Sequence, residues 1–263
     1  MAKELPDVDH AASHYLLASI GKKVLRPGGK GLTKELIASL HISEGDKIVE
    51  FAPGQGFTTT SVLDKHPASY IGIDIDEEHV ANLKKRFRSN GTHVEIMLAD
   101  AEDTKLPDAS QDKIFGEAML SMHADQRKTR IIKEAARVLK SGGLYAIHEL
   151  ELNLKEDCHD EKHAQIQRDL AMVSNVNARP LTFEEWTKLL EDEGFEVVSV
   201  ERRPLKVLEP FRILADEGFF QTLKIGYNIL TMPKSRERVL KMRKTFKLHY
   251  EHLNAIVIIA KKR

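Results

Sequence analysis

Glu50, Asp74 and Asp100 each close a short apolar run: Lys47-Ile-Val-Glu50, Tyr70-Ile-Gly-Ile-Asp74 and His93-Val-Glu-Ile-Met-Leu-Ala-Asp100. The acids lie 24 and 26 residues apart, and the first run continues through Phe51-Ala52-Pro53 into the turn Gly54-Gln55-Gly56. Short apolar runs at this spacing read as buried parallel strands. A parallel sheet brings the carboxyl ends of its strands to one edge, which is where such sheets bind ligands. Three carboxylates on that edge describe a nucleoside site. Asp74 can accept hydrogen bonds from both ribose hydroxyls, and Asp100 suits the exocyclic amine of adenine. Gly54 and Gly56 leave room for a ligand to approach the backbone. The helix expected from about Thr58 offers free N–H groups and a positive dipole end to an anion. Glu50 can face a cationic group or tie down its own loop.

Each element alone has a simpler structural reading. A Gly-x-Gly turn occurs in many strand–helix units. Asp74 can cap a helix starting near Asp76, and Asp100 can be an ordinary turn residue. The constellation carries the inference.

Over residues 45–150, with weaker support at 181–200, this pattern resembles the class I S-adenosylmethionine-dependent methyltransferases. Glu50–Gly56 matches the family's first motif, with Ala52 in place of its usual first glycine and Pro53 added. Asp74, followed by Ile75, matches its ribose acid, Asp100-Ala101 its adenine-contacting pair, and Glu117-Ala-Met-Leu120 the segment lining the methyl group. Leu139-Lys-Ser-Gly-Gly143 matches a structural turn, with Ser141 in place of proline. The resemblance implies S-adenosyl-L-methionine as cofactor and S-adenosyl-L-homocysteine as product. Glu50, Ala52, Gly54, Gly56, Asp74, Ile75, Asp100, Ala101 and Glu117 are then the cofactor-binding residues. The rival reading is an NAD-dependent oxidoreductase, but its fingerprint needs a third glycine where this chain has Thr59.

The elements that position these residues alternate. Strands are expected near 47–51, 69–74, 93–98, 112–118 and 143–151, with helices near 57–65, 76–89 and 125–140. Helices at 160–174 and 182–193 follow, then strands at 194–200 and 253–260. Leu139–Gly143 is read as a glycine stop that ends a helix and turns into the fifth strand. The sum is an α/β, Rossmann-like, doubly wound sheet of seven strands, mostly parallel. Following the family, the last strand is antiparallel. Residues 1–44 form a helical N-terminal cap, broken at Arg26-Pro-Gly-Gly29, with Thr33 able to start its second helix. Residues 45–202 and 253–263 form the cofactor-binding domain. Residues 203–252 are a helical insertion, far longer than a hairpin connection.

The 263 residues carry 40 basic and 40 acidic side chains, so no net field draws the chain to nucleic acid or membrane. The balance is local, however: residues 201–263 hold 15 Lys/Arg against 6 Asp/Glu. The single Cys158 excludes an internal disulfide and fits a reducing, cytoplasmic compartment. No apolar signal region opens the chain, and no run is long enough for a transmembrane segment. His159 and His163 are spaced as a metal pair, but Asp160 stands where a His-Glu-x-x-His motif has glutamate, and no metal is expected. Trp186, with Leu189 and Leu190, is expected in the core.

A small organic molecule is the expected methyl acceptor, because the N-terminal residues, the 152–180 segment and the insertion can cover the strand ends. Within the family this build resembles the quinone-biosynthesis type. Nucleic acid is disfavoured, since Glu117-Ala-Met-Leu120 replaces the Asn/Asp-Pro-Pro-aromatic motif of the amino-methyltransferases and Cys158 lies away from the site. The basic run Lys234–Lys247 has apolar residues at helical spacing, which makes its charges a solvated face; an anionic partner or a membrane surface, suiting a lipophilic acceptor, are the alternatives. A sensor that binds the adenosyl ligand without turnover is a further reading. Candidate bases are His123, His148 and Glu149, with His14 and Tyr15 if the N-terminal helix folds over the pocket. Oligomeric state is not legible.

Overall fold

The computed structural model describes residues 7–88, 93–154, 159–206 and 208–263, and of His159 and Asp160 the backbone alone. One sheet organises the chain. Its path is β3 (His93–Leu98), β2 (Ser69–Asp74), β1 (Lys47–Phe51), β4 (Gln111–Glu117), β5 (Leu139–Leu152), β8 (Leu253–Lys262) and β7 (Phe195–Pro204). All neighbours are parallel except at β8, which is antiparallel to β5 and β7. The seven expected strands are all present; a two-residue β6 (Leu181–Thr182) also pairs with the end of β5. The chain leaves β1 toward β2 and β3, then returns to β4 on the other side. The β1–β4 boundary is therefore the topological switch point, where α/β sheets bind ligands. Phe51 and Gly116 are partners across it.

Period-two alternation along the strands feeds two cores. Val49, Ile71 and Ile73 face one side with Ile131, Ile132 and the fully buried Trp186. Ile48, Tyr70 and Phe115 face the other. Helices α3 (Phe57–Leu63) and α4 (Glu77–Arg86) contribute to the second core, and α5 (Asp125–Val138) and α7 (Phe183–Asp192) to the first. Two expectations shift. Helix α5 ends at Val138, with Leu139 already extended, four residues before the first glycine. Gly142 and Gly143 instead serve an irregularity at the start of β5, where the register jumps between Gln111 and Lys113; a Cβ on Gly143 would meet the Asp112 carbonyl at 2.9 Å. Helix α2 (Gly29–Ser39) starts at Gly29, so Thr33 lies inside it.

A third core lies beyond the end of β5. It joins α1 (Ser13–Ser19), α6 (His159–Ser174), α9 (Phe219–Thr231) and α10 (Pro233–Leu248) through Leu16, Ile166, Leu170, Ile225 and Met242, packed on Leu150, Leu152 and Leu253. The N-terminal helix and the insertion thus share one core over the strand ends. Helix α2 packs on the sheet face, with Leu32 and Leu36 in the second core. Helix α8 (Pro210–Glu217) leads into α9.

Candidate active site

The loop after β1 is shaped by its backbone. Ala52 has φ 53° and Gly54 φ 54°, both left-handed. The alanine thus takes the conformation for which glycine is favoured, at a cost of order 1 kcal/mol. It is held there by its N–H, which donates to the Ile73 carbonyl at 2.8 Å. Ala118, one residue past β4, repeats this with φ 55° and donates to the His148 carbonyl at 2.8 Å. Gly54 would meet nothing within 4 Å if it carried a Cβ, so the space before it is open. Gly56 does the opposite work: a Cβ there would meet Leu83 at 2.5 Å, so it allows the loop to lie against α4.

Between these two alanines lies a cavity of about 320 Å³. Glu50, Ala52, Gly54, Thr58, Glu117 and Met119 wall it from the sheet side, with His14 and Leu17 of α1 and Arg26 opposite. Two buried carboxylates in it are tuned apart. Burial pushes Glu50 up to about 7, against hydrogen bonds donated by the Tyr70 hydroxyl at 2.5 Å and Thr59 Oγ1 at 2.8 Å. Burial would also raise Glu117, but the Arg26 guanidinium and the hydrogen bonds from His148 and Thr33 outweigh it and bring Glu117 down to about 2. Thr58 and Thr33 donate to Glu117 at 2.5 Å each, and Arg26 reaches Thr58 at 2.7 Å. The buried Arg26 Nε has no hydrogen-bond partner.

A smaller cavity of about 60 Å³ continues past Ala52, Met119 and His123, which wall both. Asp74, Ile75, Asp100 and Ala101 line it. Asp74 accepts from the N–H groups of Gly54 at 3.1 Å and Asp76 at 3.0 Å, and so orders the loop it faces. Asp76 itself caps α4 through the N–H groups of Glu78 and His79. Asp100 receives Arg127 at 2.7 Å and the Glu102 N–H at 3.1 Å.

The expected residues Glu50, Ala52, Gly54, Asp74, Ile75, Asp100, Ala101 and Glu117 are therefore brought onto one continuous groove, while Gly56 stands behind it as a packing residue. His123 joins them: it lines both cavities, and burial lowers its pKa. Helix α1 does fold over the site. His14 lines the cavity with its pKa likewise lowered by burial, and the Tyr15 hydroxyl donates to Asp76 at 3.1 Å in an adjoining trough.

His148 and Glu149 depart from expectation as candidate bases. His148 is fully buried; its Nε2 accepts the Gly28 N–H at 2.9 Å, so its proton sits on Nδ1, which donates to Glu117 at 2.7 Å. Glu149 is also fully buried and accepts three backbone N–H groups, from Met119, Leu120 and Ser121, at 2.7–3.0 Å. Neither side chain lines the groove. Both hold the segment after β4 in place, and each uses up its polar atoms in doing so.

Residues missed from sequence are Arg26, Thr33 and His79. The first two meet Glu117 from 91 and 84 residues away, and His79 Nδ1 lies 3.6 Å from Asp74, which raises its pKa. An acid at the end of β4 calls for a buried partner, but nothing local says which. Cys158 lies outside the described residues, as does the His159 side chain. Among the described residues no three His, Cys, Asp or Glu side chains are grouped to hold a metal ion, and no helix is long and apolar enough to cross a membrane.

Residues 48–143 match the family described as Methyltransferase domain. A protein of Haemophilus influenzae described as uncharacterised is 33% identical over 251 residues, 95% of this chain and 97% of that one. The chain belongs to the class I S-adenosylmethionine-dependent methyltransferases. The 27-O-demethylrifamycin SV methyltransferase of Amycolatopsis mediterranei is 27% identical over 175 residues, 65% of this methyltransferase and 61% of that enzyme. The cyclopropane synthase MmaA2 of Mycobacterium tuberculosis shares the fold, with a TM-score of 0.68 at 14% identity over 88% of this chain and 83% of that one. In this family frame the absent third glycine is explained: Thr59 is buried and ties the β1 carboxylate to α3.

The groove fits the family's cofactor. In its larger part Glu50 and Glu117 would face ammonium and sulfonium charge, with the Arg26 guanidinium beside them. In its smaller part Asp74 and Asp100 would be the acids within reach of a ribose and an adenine.

Proposed function

We propose that this enzyme binds S-adenosyl-L-methionine along the groove and transfers its methyl group to a small organic molecule with an apolar body. One observation carries the reading. The acid-bearing cavity shares Ser13, Leu17, Leu25, Ala118 and Met122 with an adjacent apolar pocket of about 70 Å³. That pocket is completed by Leu150, Leu170, Leu205, Met242 and Phe246, side chains from the strand end, α6 and the insertion. A cofactor on one side and an apolar molecule on the other would meet at Ala118 and Met122.

The bound cofactor supplies an electrophilic methyl on a sulfonium. The chain's own groups do the rest. Glu117, ionised throughout the physiological range, holds the cationic end, and Arg26 holds Glu117 and Thr58 in place. Asp74 keeps Gly54 in place while it takes the ribose. Holding donor and acceptor in line and dry supplies much of the acceleration, since effective molarities of about 10⁵–10⁸ M are reached by orientation alone. Where the acceptor is a hydroxyl or amine, His123 and His14 are the uncharged imidazoles placed to take its proton. With its single cysteine and no spanning helix among the described residues, the chain is read as a cytoplasmic enzyme.

The test is transfer of tritiated methyl from S-adenosylmethionine into fractions of a cell extract. Label in the organic-extractable small-molecule fraction supports the reading. Label confined to nucleic acid or protein, or none in any fraction, would overturn it.

A further inference from the structure

Helix α9 packs Ile225 and Ile229 into the third core yet leaves a second apolar face outside. Two of its polar side chains face inward: Asn228 Nδ2 donates to the Ile20 carbonyl at 3.0 Å, and Gln221 Nε2 to the Gly21 carbonyl at 2.5 Å, on either side of the buried Ile225. Its outer stripe is Phe219, Phe220, Leu223, Tyr227 and Leu230, all exposed, and Phe211 of the neighbouring α8 is exposed as well. Phe211 and Phe220 are 87% and 84% exposed, values that leave an aromatic ring almost wholly in water. Surface hydrophobes scattered singly need no explanation, but a stripe at helical spacing marks an interaction site.

The charge around the stripe says what covers it. The insertion itself, residues 203–252, holds 11 Lys/Arg against 5 Asp/Glu. Lys224 lies on α9, and Lys234, Arg236, Lys241, Lys244 and Lys247 are exposed on the adjoining α10. A two-fold contact through this face would bring two such cationic surfaces together. An anionic surface would be attracted by both the aromatics and the lysines.

We propose that α8–α10 form a docking face for an anionic lipid bilayer, with the aromatic stripe in the headgroup–acyl boundary and the lysines at the headgroups. The same insertion lines the apolar pocket through Leu205, Met242 and Phe246. Resting on the methyltransferase reading above, this names the acceptor class: a lipophilic molecule taken from the bilayer. The insertion is also tied to the wall of the cavity. Glu217 of α8 accepts the N–H groups of Lys23 and Val24 at 2.9 and 2.8 Å, and Arg212 donates to the Gly28 carbonyl. Lys23 and Arg26 of that strap line the cofactor cavity.

The experiment is co-sedimentation of the full chain with vesicles of phosphatidylcholine alone and of phosphatidylcholine mixed with phosphatidylglycerol. Binding to the mixed vesicles that weakens with salt is expected. Phe219→Ser with Phe220→Ser and Tyr227→Ser should lower the bound fraction roughly tenfold, as should Lys241→Glu with Lys244→Glu. Both variants should keep the wild-type thermal shift with S-adenosylhomocysteine, which shows that they are folded. No binding to the mixed vesicles would overturn the proposal. So would a dimer that the serine substitutions dissociate, since a second copy would then own the face. Vesicle binding and adenosyl-ligand binding are read separately, so loss of the methyltransferase reading would appear as an absent thermal shift in a chain that still sediments with vesicles.

Discussion

Glu117 and His148 are register partners on adjacent parallel strands, and their side chains meet at 2.7 Å, the imidazole fully buried and the carboxylate opening only onto the cavity. The second ring nitrogen of His148 holds the Gly28 N–H, so one imidazole joins the end of β4 to the strap before α2. His148→Phe would leave both the Glu117 carboxylate and the Gly28 N–H short of a partner. Unsatisfied buried groups of this kind cost about 1–3 kcal/mol each, more when charged. Urea unfolding should therefore show a loss of about 2–4 kcal/mol. A stable His148→Phe protein with methyl transfer abolished would instead restore His148 as a base.

Glu50 makes stability depend on pH in an unusual direction. Its folded pKa of about 7 lies above the ordinary carboxylate value, so the folded state holds its proton more tightly than the unfolded chain does. Its contribution is complete below the ordinary value and is lost as pH rises through about 7. Glu50→Gln keeps an oxygen for Tyr70 and Thr59 but cannot ionise. The stability of Glu50→Gln relative to wild type should therefore grow between pH 5 and pH 8, by about 3 kcal/mol. Parallel thermal melts across that range check it, and a difference that does not change with pH would remove Glu50 as the titrating group.

The two left-handed alanines give a contrast in sign. Ala52→Gly and Ala118→Gly relieve a positive φ and should be neutral or stabilising, by up to about 1 kcal/mol. Ala81→Gly, at an exposed site inside α4, should cost about 1 kcal/mol. Denaturant midpoints of the three variants read this directly.

Much of this site is legible in the sequence because its signals are local. An apolar run that ends in an acid marks a strand and its carboxyl end together, and the intervals between runs leave room for one helix each. That is why Glu50, Asp74 and Asp100 can be assigned to one edge from sequence, while Glu117 enters only with the family resemblance. Leu139–Gly143 misled because glycines mark both helix stops and strand irregularities. His148 and Glu149 were placed near the site by position along β5, but β5 lies between β4 and β8 with both faces covered, so its side chains are consumed by packing and hydrogen bonds. Arg26, Thr33 and the Arg212–Gly28 contact were invisible because each partner lies 84 or more residues away. Only the folded chain brings them together.

The groove through Asp74 is proposed as the adenosyl-ligand site. Calorimetric titration with S-adenosylhomocysteine, with Asp74→Ala in parallel and NADH as the competing ligand, tests it most directly. Saturable binding of one S-adenosylhomocysteine per chain is expected, at least tenfold weaker in Asp74→Ala, a loss of about 1.4 kcal/mol or more, with no binding of NADH. Equal affinity in the two proteins, or saturable binding of NADH alone, would remove Asp74 and its groove as the adenosyl-ligand site.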